Sequence, residues 1–217
     1  MARCSARRGG IRSWALACAV SFLALNAHAG TQQEEVLSAS VRSVMQRSVS
    51  DNASPRLLFA SQVEADAWLN EMSRRLEKRM PDRQTRLDFL RTVNYEAKRA
   101  GLDPQLVLGL IQVESGFKKY AVSTAGARGF MQVMPFWVRD IGAANQDLFH
   151  LRTNLRYGCT ILRHYLDIEH GSLFRALGRY NGSLGQADYP NMVVGAWRSN
   201  WYYQTRTAEN ASNRHPG

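Results

Sequence analysis

Apolar residues recur at helical spacing along most of the chain, and the breaks between runs carry helix-start and helix-stop chemistry. Ser61-Gln62-Val63-Glu64 has the form of a capping box, and Trp68, Met72 and Leu76 follow it four apart. A helix is expected there, stopped by Pro81. A second is expected over about 85–100, closed by Gly101, a residue suited to a left-handed cap. Asp103-Pro104 opens a third, because aspartate is a good N-cap and proline is pre-set for the first helical position. Its body, QLVLGLIQVE, is apolar on nearly every face and so belongs inside a core. Further helices are expected near Pro135 and over about 152–170, 173–180 and 189–203. Between them, KKYAVSTAGARGFMQVMP is rich in turn formers with one short extended piece. The predicted fold class is all-α, with at most a small β ribbon and an N-terminal helical extension.

The N-terminus reads differently. Arg3, Arg7, Arg8 and Arg12 come without an acid, Trp14 to Leu25 is mostly apolar but too short to span a bilayer, and Ala27 and Ala29 stand in small-residue cleavage positions. That order predicts a signal peptide over residues 1–29 and a periplasmic or secreted protein. Residues 30–80 are expected to form a partly helical extension, polar and Ser-rich through residue 56 with a short helix near 35–46. Residues 81–205 are expected to form the principal domain and 206–217 a disordered tail.

Charge and composition narrow the function. Loss of residues 1–29 removes four of the 28 Lys and Arg and none of the 18 Asp and Glu, so the formal net charge falls from +10 to +6. It also removes RRGGIR, the run most like a nucleic-acid contact. The remaining bases mix with acids, as in RRLEKRMPDR, which reads as a solvated helix face. No nucleic-acid partner is expected, and the modest positive charge favours an anionic polymer or membrane surface. Cys4 and Cys18 lie in the leader. Cys159 shares a helical stripe with Leu155, Leu162 and Leu166 and reads as a buried structural thiol. The histidines show no metal spacing, and no HExxH, CxxC or P-loop pattern occurs, so neither metal nor cofactor is expected.

Glu114 ends the apolar helix on the same face as Val107, Leu110 and Ile111. A carboxyl in such company is desolvated, which favours its neutral form and raises its pKa. An acid still protonated near neutral pH is what general-acid cleavage of a glycosidic bond needs. The pattern also fits a buried structural glutamate paired with an arginine. The next acid along the chain is Asp140, beyond the glycine-rich loop. The carboxylate pair of ordinary glycosidases therefore has no second member in this stretch.

The motifs ESGF, STAGARGFMQVMP, NLRYGCTILRHYLD and RYNGSLG, with YP behind the last, stand in order between Gly101 and Trp197. Together they resemble the soluble lytic transglycosylase family. The resemblance implies a lysozyme-like all-α domain over residues 81–205. Such a domain acts on peptidoglycan glycan strands, cleaving the bond between N-acetylmuramic acid and N-acetylglucosamine. By position it makes Glu114 the catalytic acid and then base, with Ser115 beside it. It puts Ser123 near that carboxyl and the sugar's acetamido group. Met131, Gln132 and Met134 fall in a loop lining the sugar groove, and Tyr180 and Asn181 form an aromatic–amide pair at the cleft. It also implies that the substrate supplies the missing second group: the 2-acetamido group steadies the cationic centre, and the O6 hydroxyl closes a 1,6-anhydro ring without water. The sequence departs from the family pattern at Phe130, Trp137 and Arg179, where Leu, Thr and Ala are usual.

Plainer roles fit some of these residues: core filling for Met131 and Met134, a hydroxyl on a backbone carbonyl for Tyr180, and core positions for Trp197 and Trp201. The competing functions are a goose-type lysozyme, which would hydrolyse the same bond, and a catalytically silent peptidoglycan-binding module. A monomer is expected, with cell-envelope machinery as a potential partner.

Overall fold

The computed structural model describes Met1 and residues 32–50, 53–143 and 146–204. Apart from Met1, the leader and tail expected from the sequence lie outside the described residues. The chain runs through α1 (Ala39–Ser50), α2 (Gln62–Leu76), α3 (Arg83–Arg99), α4 (Pro104–Glu114), α5 (Phe136–Ile141), α6 (Leu151–Ile168), α7 (Leu173–Asn181) and α8 (Asp188–Ala196). A π-helical turn, Trp197–Trp201, extends α8. The fold is all-α. Its β content among the described residues is a pair of isolated antiparallel bridges, Val122 with Arg128 and Arg128 with Val133.

The caps act as the sequence chemistry requires. The Ser61 hydroxyl accepts from the Glu64 N–H at 3.2 Å, and Asp82 accepts from the Thr85 N–H at 2.8 Å. Asp103 accepts from the Gln105 N–H at 2.7 Å, with Pro104 in the first turn. After α3, Gly101 takes φ +68°, the left-handed conformation that glycine enters without a Cβ penalty. α2 ends at Leu76, well before Pro81, because a turn intervenes. The segment read as one helix over 189–203 is a short α-helix followed by the π turn.

Two helices form the centre. α4 packs against α8, the π turn and α3, and α6 packs against α3, α7 and α1. Leu106, Val107, Leu108, Leu110 and Ile111 are buried all round α4, each contributing roughly 1.5–3 kcal/mol by leaving water. Gly109 lets α8 come close, since a Cβ there would stand 2.8 Å from the Trp197 backbone nitrogen. On α6, Leu155, Cys159, Leu162 and Leu166 are buried together, and burial pushes the free Cys159 thiol up. Trp201 is also in the core.

The Ser-rich segment is less peripheral than its composition suggests. Leu37, Met45 and Val49 join the hydrophobic core, and α1 packs on α5 and α6. Period-3.6 burial of a few apolar positions is enough to hold a polar helix on a larger surface. Among the described residues no helix is long and apolar enough to cross a membrane.

Candidate active site

Glu114 is the last residue of α4, and 4% of it is exposed. The apolar helix that carries it buries its carboxyl away from the surface. One oxygen, Oε1, accepts a hydrogen bond from the Tyr189 hydroxyl of α8; the other, Oε2, is buried without a hydrogen-bond partner. Burial pushes the Glu114 pKa up to about 8, and the Tyr189 bond pulls in the opposite direction without matching it. The group is an acid that keeps its proton at neutral pH and has one oxygen uncommitted.

The loop after α4 is built to stay close to this carboxyl. The Ser115 hydroxyl donates to the Phe130 carbonyl at 2.7 Å, clamping the helix end to the far side of the loop. Phe117 takes φ +68°, an uncommon conformation for a non-glycine residue. It is held between Phe89 and Trp201, with ring centroids 6.0 and 5.3 Å away. Phe130 packs against Phe89 in a tilted arrangement with centroids 4.9 Å apart, so it belongs to the same aromatic cluster.

Gln132 also has positive φ, +49°. Its carboxamide donates to the carbonyls of Gly129 at 2.9 Å and Ala121 at 3.2 Å, so the side chain holds the loop's own shape. Ser123 is half-buried, and its hydroxyl oxygen accepts from the Ala127 N–H at 3.1 Å, closing a turn. Met131 is fully buried against α6, where a Cβ on Gly158 would stand 2.4 Å from its sulfur. Met134 is half-buried.

Tyr180 comes from α7 and is fully buried. Its hydroxyl donates to the Met131 carbonyl at 2.8 Å, the plainer role open to it from sequence. Burial raises its pKa well above normal, and the charge of Glu114 adds to the effect. Asn181 donates to the Ser183 hydroxyl at 3.1 Å and supports the turn after α7. Glu114, Ser115, Met131, Gln132 and Tyr180 therefore form one connected region, while Ser123 and Asn181 shape the turns at its edges.

Two contributors were not singled out from the sequence. Tyr189 lies in the YP motif, but nothing local says that its hydroxyl meets a carboxyl 75 residues earlier. Asn154 is fully buried on α6 and spans the loop base. It accepts from the Met131 N–H at 2.8 Å and donates to the carbonyls of Arg128 and Leu148 at 2.8 and 2.9 Å. A polar residue at a core position of an apolar stripe was the available signal.

Residues 91–192 match the family model described as "Transglycosylase SLT domain". The chain is 33% identical over 103 residues to a transglycosylase of Enterobacteria phage PRD1, covering 48% of this chain and 38% of the phage protein. It is 53% identical over 47 residues to the membrane-bound lytic murein transglycosylase C of Actinobacillus pleuropneumoniae, covering 22% and 13% of the two chains. Against the protein of that name from Glaesserella parasuis it is 42% identical over 92 residues, covering 36% and 25%. The chain thus spans well under two thirds of the length of these curated relatives. The matched segment, in which the chain is similar to the transglycosylase SLT domain family, holds α4, the glycine-rich loop, α6 and α7 with the residues built around Glu114.

Proposed function

We propose that the protein is a peptidoglycan lytic transglycosylase of the cell envelope, with Glu114 as its one acid and base. The observation that carries this reading is the Glu114 carboxyl, kept neutral by burial and backed by a tyrosine rather than by a second carboxylate. The names of the relatives supply the substrate class, murein, and the reaction class.

In the proposed reaction the Glu114 acid gives its proton to the oxygen between N-acetylmuramic acid and N-acetylglucosamine. The C1–O bond breaks and the N-acetylglucosamine leaves as an alcohol. The cationic C1 is steadied by the sugar's own acetamido oxygen, which replaces the nucleophilic carboxylate of two-acid glycosidases. The O6 hydroxyl then attacks C1, and its proton passes to the Glu114 carboxylate. The ring closes as a 1,6-anhydro product, the acid is restored and no water is consumed. Tyr189 suits both halves, since its O–H stabilises the carboxylate formed between them.

Mass analysis of muropeptides from digested sacculi tests the reading. Chains ending in 1,6-anhydro-N-acetylmuramic acid are the expected product, lighter by one water than those of a lysozyme. Reducing N-acetylmuramic acid ends would make the protein a hydrolase, and an absence of products would make it a binding module.

A further inference from the structure

The loop beside Glu114 has an open edge. Val133 uses both its backbone groups on Arg128, at 3.0 Å in each direction. Backbone groups alternate sides along an extended chain, so the Gln132 carbonyl and the Met134 N–H face away from that bridge. They meet the side chain of Gln32. Its carboxamide donates to the Gln132 carbonyl at 3.5 Å and accepts from the Met134 N–H at 3.4 Å and the Trp137 indole N–H at 2.9 Å.

The rest of the segment is fastened as well. Glu35 pairs with Arg179 at 3.1 Å, Glu34 pairs with Arg139, and Leu37 is buried in the core before α1 begins. Trp137 and Arg179 both reach this segment from the domain. Both of these side chains grip residues 32–35.

A carboxamide offers one carbonyl and an N–H on the same planar group. The acetamido group of an N-acetylated sugar offers the same pair. An open edge presenting one carbonyl and one N–H accepts either. We propose that residues 32–37 are an autoinhibitory strap, in which the Gln32 carboxamide holds the place of a glycan acetamido group and the Glu35–Arg179 pair tethers it. This rests on the glycan reading given above. Strap and glycan compete for one loop edge, so the apparent affinity for glycan is reduced by the fraction of molecules with the strap in place.

The test is calorimetric binding of tri-N-acetylchitotriose to the otherwise intact protein and to its Gln32→Ala and Glu35→Ala variants, alongside turnover of sacculi. Each substitution removes contacts of the strap and none of Glu114. Losing one to three hydrogen bonds or the ion pair is expected to tighten the oligosaccharide roughly three- to tenfold in either variant. KM for sacculi is expected to fall by a similar factor with kcat unchanged. A synthetic peptide of residues 30–38 is expected to compete with the oligosaccharide on Gln32→Ala. Unchanged or weaker affinity in both variants overturns the strap, as does failure of all three proteins to bind. Tighter binding without cleavage in any of them sustains the strap while removing the catalytic reading.

Discussion

A carboxyl that keeps its proton through burial responds to pH in the opposite sense from a surface acid. Glu114 has an ordinary value of 4.5 in an unfolded chain and about 8 in the fold. Between those values the folded state holds a proton that the unfolded state has lost, so stability falls as pH rises through that window. Glu114→Gln removes the dependence. The variant is expected to exceed its parent in stability above about pH 8, by on the order of 5 kcal/mol, and to match it below about pH 4.5. Thermal melts across that range decide it, since a difference independent of pH would mean the proton is not held by burial. Activity on sacculi is expected to drop at least about a hundred- to ten-thousandfold in the same variant. Tyr189→Phe separates the two influences on the proton. Without the hydroxyl the carboxylate loses its stabilising donor, so the alkaline limb of kcat/KM is expected to move to higher pH while the rate falls. A limb that moves down would show that Tyr189 does not favour the ionised form.

At the scale of elements, helix starts were legible because their signals are local. Asp103-Pro104 and the Ser61–Glu64 box say where a helix begins whatever it later packs against. Glu114 was legible for a related reason, since a period of 3.6 puts it on a stripe with Val107, Leu110 and Ile111. The loop was harder to read. Gln132 and Ser123 were expected in the loop at the sugar groove, and that their polar groups also hold the loop's own turns is told only by tertiary structure. The strap contacts of Gln32 span about a hundred residues and leave no periodic trace. The element that fixes the loop is α6, through Asn154 and Gly158. Asn154→Ala breaks three hydrogen bonds at the loop base and leaves the Met131 N–H and the Leu148 carbonyl to be satisfied elsewhere, while the Arg128 carbonyl keeps the Val133 N–H. A loss of roughly 2–4 kcal/mol in urea unfolding is expected, with activity falling further than stability because the loop carries the Phe130 anchor of Ser115. A stability loss below about 1 kcal/mol would show that water replaces the amide without cost.

For the whole molecule, the tie between α3 and α6 is a buried carboxylate rather than a greasy contact alone. Glu96 is fully buried on α3. It meets Arg156 at 2.9 Å, Arg99 at 3.0 Å and Arg152 at 3.4 Å, joining its own helix to two successive turns of α6. These are the same turns that carry Asn154 and Gly158, so the position of the loop beside Glu114 depends on a charge set on the other face of α6. Such a cluster recovers its desolvation cost only while it is complete. Removing the central acid leaves guanidinium groups close together in a region of low polarity, and breaking a buried pair in this way costs about 3–5 kcal/mol. Glu96→Ala is expected to lower the unfolding free energy by that amount in urea denaturation at neutral pH. Glu96→Gln keeps the shape and accepts hydrogen bonds through one oxygen, and is expected to recover part of the loss. If both variants lose less than about 1 kcal/mol, the arginines find water when the acid is gone. The packing of α3 on α6 would then be carried by the apolar side chains between them.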